Sequence, residues 1–465
     1  MLDMEEIDNQ RINRVSSTDH THKERFAQFL TNKNIASFMS RLCVEYCKKR
    51  DSVEILDPGA GTGILSYSLI NELSKEQIGN INLEAYEIDD SIFSELEKTY
   101  TKLNKISNVQ TNILKKDFIC DVGFEIGWNL QKKYDMIIMN PPYQKIKSDS
   151  LYKKTMQNIG ISTVNTYSAF MTIGINLLKE NGILIAIVPR SFCNGLYFLP
   201  FRKFLLAKTS IKHIHHFESR KDNFVEEDVL QENIIIVLEK LSTEADTIKI
   251  TYSKGNTFDT IFEKIVHKNE VINEDDEQYY ISIPNGSKTA DELLLTHTHT
   301  ELGFEISTGP IVDFRVKEKL TNEPNNVPLL YSVHIRNNKI TWPTQSKKPN
   351  AIILSEEEKR KLCFQKGYYV LLKRFTSKEE KRRLQATMIS PDDLPTDYFT
   401  VENHVNIIHY KKSGLEANLA RGLVTYLNSE FCDDVFRRFS GHTQVNATDL
   451  RNMRYPSLEN LLNWR

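Results

Sequence analysis

"SVEILDPGAGTGILSYSLINEL", residues 52–73, changes its periodicity twice within one short stretch. Val53, Ile55 and Leu56 make an apolar run of strand type. Asp57-Pro58-Gly59-Ala60-Gly61-Thr62-Gly63 is a glycine-rich turn, and from Ile64 onward the apolar residues recur at helical spacing. Strand, glycine turn and helix make the first half of a βαβ unit. Glycines at 59, 61 and 63 let the backbone approach a ligand closely and expose N–H groups at a helix start.

The flanking sequence continues the pattern. "INLEAYEID" (81–89) reads as a second strand with Glu87 at its tip. An exposed carboxylate there can accept both ribose hydroxyls of a nucleoside cofactor and contributes little to packing. "ILKKDFIC" (113–120) places a third acid, Asp117, before Phe118. In "IIMNPPYQKI" (137–146) an apolar strand then stops at Asn140, and two prolines fix φ and remove two N–H donors, so the chain turns a stiff corner. Further strands are expected in "NGILIAIVP" (181–189), "IKHIHHF" (211–217) and "ENIIIVLE" (232–239). The expected fold is α/β, a doubly wound Rossmann-like sheet of about seven strands. Upstream, residues 22–49 read as a helical lead-in through Phe26, Phe29, Ile35, Phe38, Met39 and Leu42.

Totals bound the rest. A chain of 465 residues is too long for one ordinary core, so two domains are expected. Its 40% hydrophobic and 26% charged content is that of a soluble globular protein, and a net charge of −2 selects no partner by itself. Six cysteines without CxxC spacing read as reduced thiols; Cys43 and Cys47 find no second pair to complete a metal site. The polar N-terminus and the lack of a long apolar run imply a cytoplasmic protein with no membrane partner.

Dinucleotide binding is the first rival. Here the glycines run GxGxG behind Asp-Pro, whereas the dinucleotide fingerprint is GxGxxG, and no hydride-transfer constellation accompanies them. The order of glycine loop, second-strand acid, Asp-Phe and Asn-Pro-Pro-Tyr resembles the S-adenosylmethionine-dependent methyltransferases that modify amino nitrogens. NPPY also occurs in enzymes acting on RNA or on protein glutamine, and a catalytically silent DNA-binding module is a further alternative. Intact NPPY and glycine loop argue against the silent module.

Five stretches point to DNA. "ERFAQFLTNKNIASFM" (24–39) resembles the N-terminal cofactor motif of gamma-class DNA adenine methyltransferases, departing from it at Ala27 and Asn32. "PRSFCNGLYFLPFRKFLL" (189–206) and "FESRKDNFVEEDVLQENIIIVLEK" (217–240) resemble later motifs of that class. Val401-Glu402-Asn403-His404 and "SGHTQVNATDLRNMRYPS" (440–457) resemble the α+β target-recognition domain of Eco57I-like and PstI/BsuBI-like restriction–modification methylases. The implied organisation is a lead-in over 1–50, a catalytic domain over 51–290 and a DNA target-recognition domain over 291–465. The polar stretch "PNGSKTADE" (284–292) marks the second boundary.

The resemblance implies roles residue by residue. Asn140 and Pro141 would accept the amino hydrogens of adenine, with Pro142 keeping the corner stiff. Tyr143 and Phe224 would stack on an extruded base. Gly59, Gly61, Gly63 and Asp57 would form the cofactor loop; Glu87 would hold the ribose, Asp117 and Phe118 the cofactor adenine, and Phe26 and Thr31 the methionine end. Lys373, Arg374, Arg382 and Arg383, in a basic run with the look of a solvated helix face, would hold DNA phosphates. Thr443, Gln444 and Asn446 would influence site choice. A separate restriction endonuclease is the expected partner besides duplex DNA, and no metal is expected.

Overall fold

Short apolar strands alternate with helices through the first half of the chain, and they assemble as that alternation requires. The structure, a computed structural model, describes residues 4–17, 30–46, 51–76, 78–127, 132–194, 196–217, 233–240, 246–272, 278–283, 295–336, 339–376, 380–439 and 444–464. Two compact units divide at Ile283/Pro284, a few residues before the expected position 290.

In the first unit the lead-in forms α1 (Met4–Ser17) and α2 (Lys33–Tyr46). Then follow β1 (Ser52–Pro58), α3 (Ile64–Leu73), β2 (Asn80–Glu87), α4 (Phe93–Leu103), β3 (Val109–Lys115), α5 (Phe118–Gly127) and β4 (Tyr134–Met139). The unit continues with α6 (Leu151–Asn158), α7 (Thr166–Leu177), β5 (Leu178–Pro189), α8 (Leu199–Lys208), β6 (Thr209–Phe217), β7 (Asn233–Lys240), β8 (Thr247–Ser253) and β9 (Ile261–His267). The sheet has nine strands in the order β3-β2-β1-β4-β5-β7-β6-β8-β9. From β3 to β5 the pairs are parallel, and β7 lies antiparallel between β5 and β6.

The expected seven strands therefore fall short by β8 and β9. Lys264 and Glu263 lie on the outermost strand, β9, which is mostly exposed. Charges on an edge strand block pairing with other chains, and they also hide the strand from a hydrophobicity reading. The inner strands are covered on both faces, as parallel sheets must be. Ile137, Leu184 and Ile236 face one apolar layer with Phe118, Tyr167 and Phe201; their neighbours Ile138, Ile185 and Ile235 face the other, with Met39, Leu65 and Leu96. The lead-in thus packs as part of the first unit: Ile7, Ile35 and Met39 are buried in that second layer.

The second unit is α+β. An antiparallel sheet orders the strands Glu305–Thr308, Val405–His409, Tyr369–Lys373 and Ala386–Ile389. Helices Ala417–Leu427, Glu430–Phe439, Ala447–Asn452 and Leu458–Asn463 contribute to its core through Leu423, Phe436, Leu450 and Leu461. Of the basic residues singled out, Lys373 ends strand Tyr369–Lys373, and Arg374, Arg382 and Arg383 lie outside helices and strands.

Candidate active site

The strand order reverses between β1 and β4, and the crevice at the carboxyl ends of such strands is where open α/β sheets bind ligands. A cavity of about 260 Å³ lies there, lined among others by Thr31, Gly59, Gly61, Glu87, Asp117 and Asn140. The glycine loop is shaped for a close approach. Gly61 sits at φ 59°, and a Cβ added to it would come within 3.2 Å of Leu30. A side chain there would be strained and would narrow the cavity.

Glu87 braces this loop from β2. Its Oε2 accepts from the Gly61 amide at 2.8 Å, and Oε1 accepts from Ile88 and Asp89 amides at 2.8 and 2.9 Å. At 4% exposure it is not the solvent-exposed tip that the sequence suggests. Burial pushes its carboxyl pKa upward, against the opposing pull of those three amides.

Two of the residues expected at the cofactor, Gly63 and Asp57, fall outside the cavity lining. Gly63, at φ 81°, faces α4: a Cβ would stand 3.0–3.2 Å from Leu96, Thr99 and Tyr100. Its role is packing rather than lining. Asp57 is fully buried beneath the loop, where its Oδ2 accepts from Ser66 Oγ at 2.6 Å. Burial raises its pKa to about 7. Direct cofactor contact by these two is therefore corrected to a supporting role.

Asp117 starts α5. Its Oδ1 accepts from the Cys120 amide at 2.9 Å and its Oδ2 from the Tyr152 hydroxyl at 2.5 Å. Phe118 stands behind it, 5.2 Å from the Tyr86 ring and 5.0 Å from that of Phe170. Tyr152 and Phe170 both line the cavity and were missed in the sequence. In "SLYKKTM" nothing local distinguishes Tyr152 from any tyrosine on an amphipathic helix.

At the end of β4, Asn140 Nδ2 donates to Thr31 Oγ1 at 2.9 Å, while Asn140 Oδ1 accepts from the Tyr143 hydroxyl at 3.0 Å. The two bonds define which way the amide points. Tyr143 also reaches the Ile187 carbonyl, at 3.1 Å, and its ring meets Tyr167 edge-on at 6.1 Å. The ring is 9% exposed and belongs to the core, so most of the face expected to stack on a base is covered by the chain itself. Thr166, at the start of α7, donates to the Pro142 carbonyl and bonds Gln144 through backbone and side chain, which fixes the corner. Pro141 is buried, and among the described residues no hydrogen bond engages its carbonyl.

These features match known proteins. The chain is 40% identical to the type II methyltransferase M.BsuBI of Bacillus subtilis, over 95% of this chain and 89% of that protein. It is 37% identical to M.PstI of Providencia stuartii, over 96% and 90%. The chain belongs to the type II methyltransferases. Residues 23–224 match the Eco57I restriction-modification methylase family, so this is a methyltransferase of the restriction–modification kind, and S-adenosylmethionine is its methyl donor. A solved DrdV–DNA complex shares the fold with a TM-score of 0.50 and 16% identity, over 87% of this chain and 51% of that one. Among the described residues, no helix is long and apolar enough to cross a membrane, and no cluster of His, Cys, Asp and Glu could hold a metal.

Of the other residues singled out in this methyltransferase's sequence, Phe26, Phe224 and Thr443 lie outside the described residues. In the second unit, Arg383 is 1% exposed; its backbone amide donates to Asp433 and its guanidinium lies over Phe436 at 5.8 Å. It is a core residue and cannot hold phosphate from there. Arg382 donates to the Asn428 carbonyl at the end of helix Ala417–Leu427. Arg374 donates to the Asn403 carbonyl at 3.1 Å, and Asn446 caps helix Ala447–Asn452 with Asp449. Gln444 pairs through its backbone with Phe375. Lys373 ends its strand half-buried.

Proposed function

We propose that this enzyme transfers a methyl group to N6 of adenine in duplex DNA, with the target base extruded into the crevice beside Asn140, and so protects DNA from a cognate endonuclease. The observation that carries the reading is the fixed Asn140 amide. Its nitrogen donates to Thr31 and its oxygen accepts from Tyr143, which fixes the amide with Oδ1 as its acceptor end.

Asn140 Oδ1 and the Pro141 carbonyl would accept the two hydrogens of the amino group. Taking both pulls the nitrogen toward tetrahedral geometry and localises a lone pair otherwise delocalised into the ring. Because Thr31, Tyr143 and Thr166 hold these acceptors beforehand, little reorganisation remains for the chemical step. Gly59 and Gly61 would pass close to the cofactor, Glu87 would take a ribose hydroxyl on the remaining lone pair of Oε2, and Asp117 and Phe118 would receive the adenine. When bound, the cofactor supplies an electrophilic methyl on a sulfonium sulfur, so that a carbon–sulfur bond is exchanged for a carbon–nitrogen bond and one amino proton is released.

Extruding a base costs a few kcal/mol, which the second unit would help to offset by gripping the duplex. Arg374 and Lys373 stay as candidates for that grip, with Gln444 and Asn446 shaping the adjoining loop. Incubation with labelled S-adenosylmethionine and plasmid DNA, followed by nucleoside analysis, tests the reading. N6-methyladenine is the expected product; label in cytosine, RNA or protein alone would overturn it.

A further inference from the structure

Arg190, Asn194 and Asn233 are 2%, 2% and 1% exposed. Among the described residues, Arg190 Nε and Nη2, and both amide atoms of Asn194 and Asn233, have no hydrogen-bond partner. Folded proteins rarely leave buried polar atoms unmet, and a buried guanidinium without a counter-charge is costlier still. The three sit together. Pro189, just before Arg190, pairs with Asn233 across β5 and β7, and Asn194 closes the turn that Arg190 opens.

That turn is itself firmly held. Arg202 donates to the Phe192 carbonyl at 2.8 Å, the Ile281 amide donates to the Cys193 carbonyl at 2.9 Å, and the Tyr167 and Ser191 hydroxyls lie 3.1 Å apart. Arg202 finds carbonyls for its donors; Arg190, twelve residues earlier, does not. The frame is therefore built, and what it presents is left unmet.

The location limits the ligand. β5 lies beside β4 with Ala186 opposite Met139, so the turn stands one strand over from Asn140 at the same end of the sheet. At ~3.3 Å per residue it lies roughly 10 Å beyond Ile187, to which Tyr143 is bonded. Tyr197, in the same connection, is 78% exposed. A positive charge, two amides able to donate, and an exposed ring near the Asn140 corner suit a nucleic-acid strand.

We infer that the turn after β5 is a substrate-strand subsite: Arg190, with Asn194 and Asn233, takes a phosphodiester next to the target nucleotide, and Tyr197 offers its ring to a neighbouring base. This rests on the proposed action on DNA. The strand has to displace the chain that covers the trio, and the unmet hydrogen-bonding positions offset that displacement.

Arg190→Met and Tyr197→Ala in the full-length enzyme, measured for binding to a methylatable duplex across a salt series, test the inference. Arg190→Met should weaken binding at least several-fold and lower the slope of log K against log salt by about 1. It should leave the melting temperature unchanged or raised, because it removes an unpaired buried charge. Tyr197→Ala should weaken binding with the slope intact. S-adenosylmethionine affinity should stay at the wild-type value in both. Hydrogen exchange at residues 189–194 should change when the wild type binds duplex. A wild type that binds no duplex would sink the action on DNA itself. A wild type that binds, with an Arg190→Met variant of equal affinity and slope, or one that loses only stability, would overturn the subsite alone.

Discussion

The Thr31 hydroxyl accepts a 2.9 Å hydrogen bond from Asn140 Nδ2 across 109 positions of sequence, and both residues line the same cavity. One wall of the proposed cofactor site thereby orients the amide proposed to do the chemistry. Thr31→Val keeps the shape and removes the acceptor. It should slow single-turnover methyl transfer by about fivefold, the worth of one net hydrogen bond of ~1 kcal/mol, while changing cofactor affinity less. Thr31→Ser should restore the rate. Equal losses in the valine and serine variants would mean that packing, not the hydroxyl, matters.

Glu87 is both a proposed ribose ligand and the brace that ties Gly61 to Ile88 and Asp89. Glu87→Ala should therefore weaken cofactor binding and also destabilise the fold by about 1–3 kcal/mol, because three amides lose a shared acceptor. Urea denaturation alongside cofactor titration separates the two effects. An unchanged denaturation midpoint would contradict the bracing role.

Two kinds of buried group should give stability opposite pH dependences. His213 and His215 are depressed to about 3, chiefly by burial. They spend their nitrogens on neutral partners, in a chain from the Tyr46 hydroxyl through Thr251 to Ser253. Their neutral forms favour the fold, so that contribution is whole above the ordinary histidine value of 6.5 and is lost as pH falls toward 3. Asp57 is raised from 3.8 to about 7, so its contribution is whole below 3.8 and is lost as pH rises through 7. Asp57→Asn should flatten the decline in denaturation midpoint between about pH 4 and 7. A decline parallel to that of the wild type would place the titration elsewhere.

Neutralising Arg382 and Arg383 together should register in folding. Arg383 is packed on Phe436, and Arg382 binds the end of a helix. The double alanine variant should lose thermal stability while the salt dependence of DNA binding by the folded fraction stays near that of the wild type. A lower salt slope with unchanged melting temperature would return these arginines to the phosphates.

The legible parts of this chain were those whose cause is local. Glycines at positive φ, two prolines after a strand and an acid at a strand tip constrain their own backbone or mark their own element, so Gly61, Asn140 and Glu87 declared their place. What a residue meets from far away was not legible. Arg383 reads as a surface cation until Asp433 and Phe436 arrive from some fifty residues on. Gly63 reads as part of a ligand cradle until α4 packs against it. Thr31 shows no sign in sequence of its bond to Asn140, and Tyr152 none of its bond to Asp117.

The central claim is that the Asn140 amide takes part in methyl transfer to adenine. Asn140→Ala, assayed by rapid-quench single turnover with labelled S-adenosylmethionine and duplex DNA at saturation, tests it most directly. Expected are near-normal cofactor and DNA binding, a transfer rate lower by a factor on the order of 100 or more, as befits the loss of a preorganised acceptor, and N6-methyladenine as the wild-type product. A variant that transfers at close to the wild-type rate, or a wild-type product on another base, would contradict it.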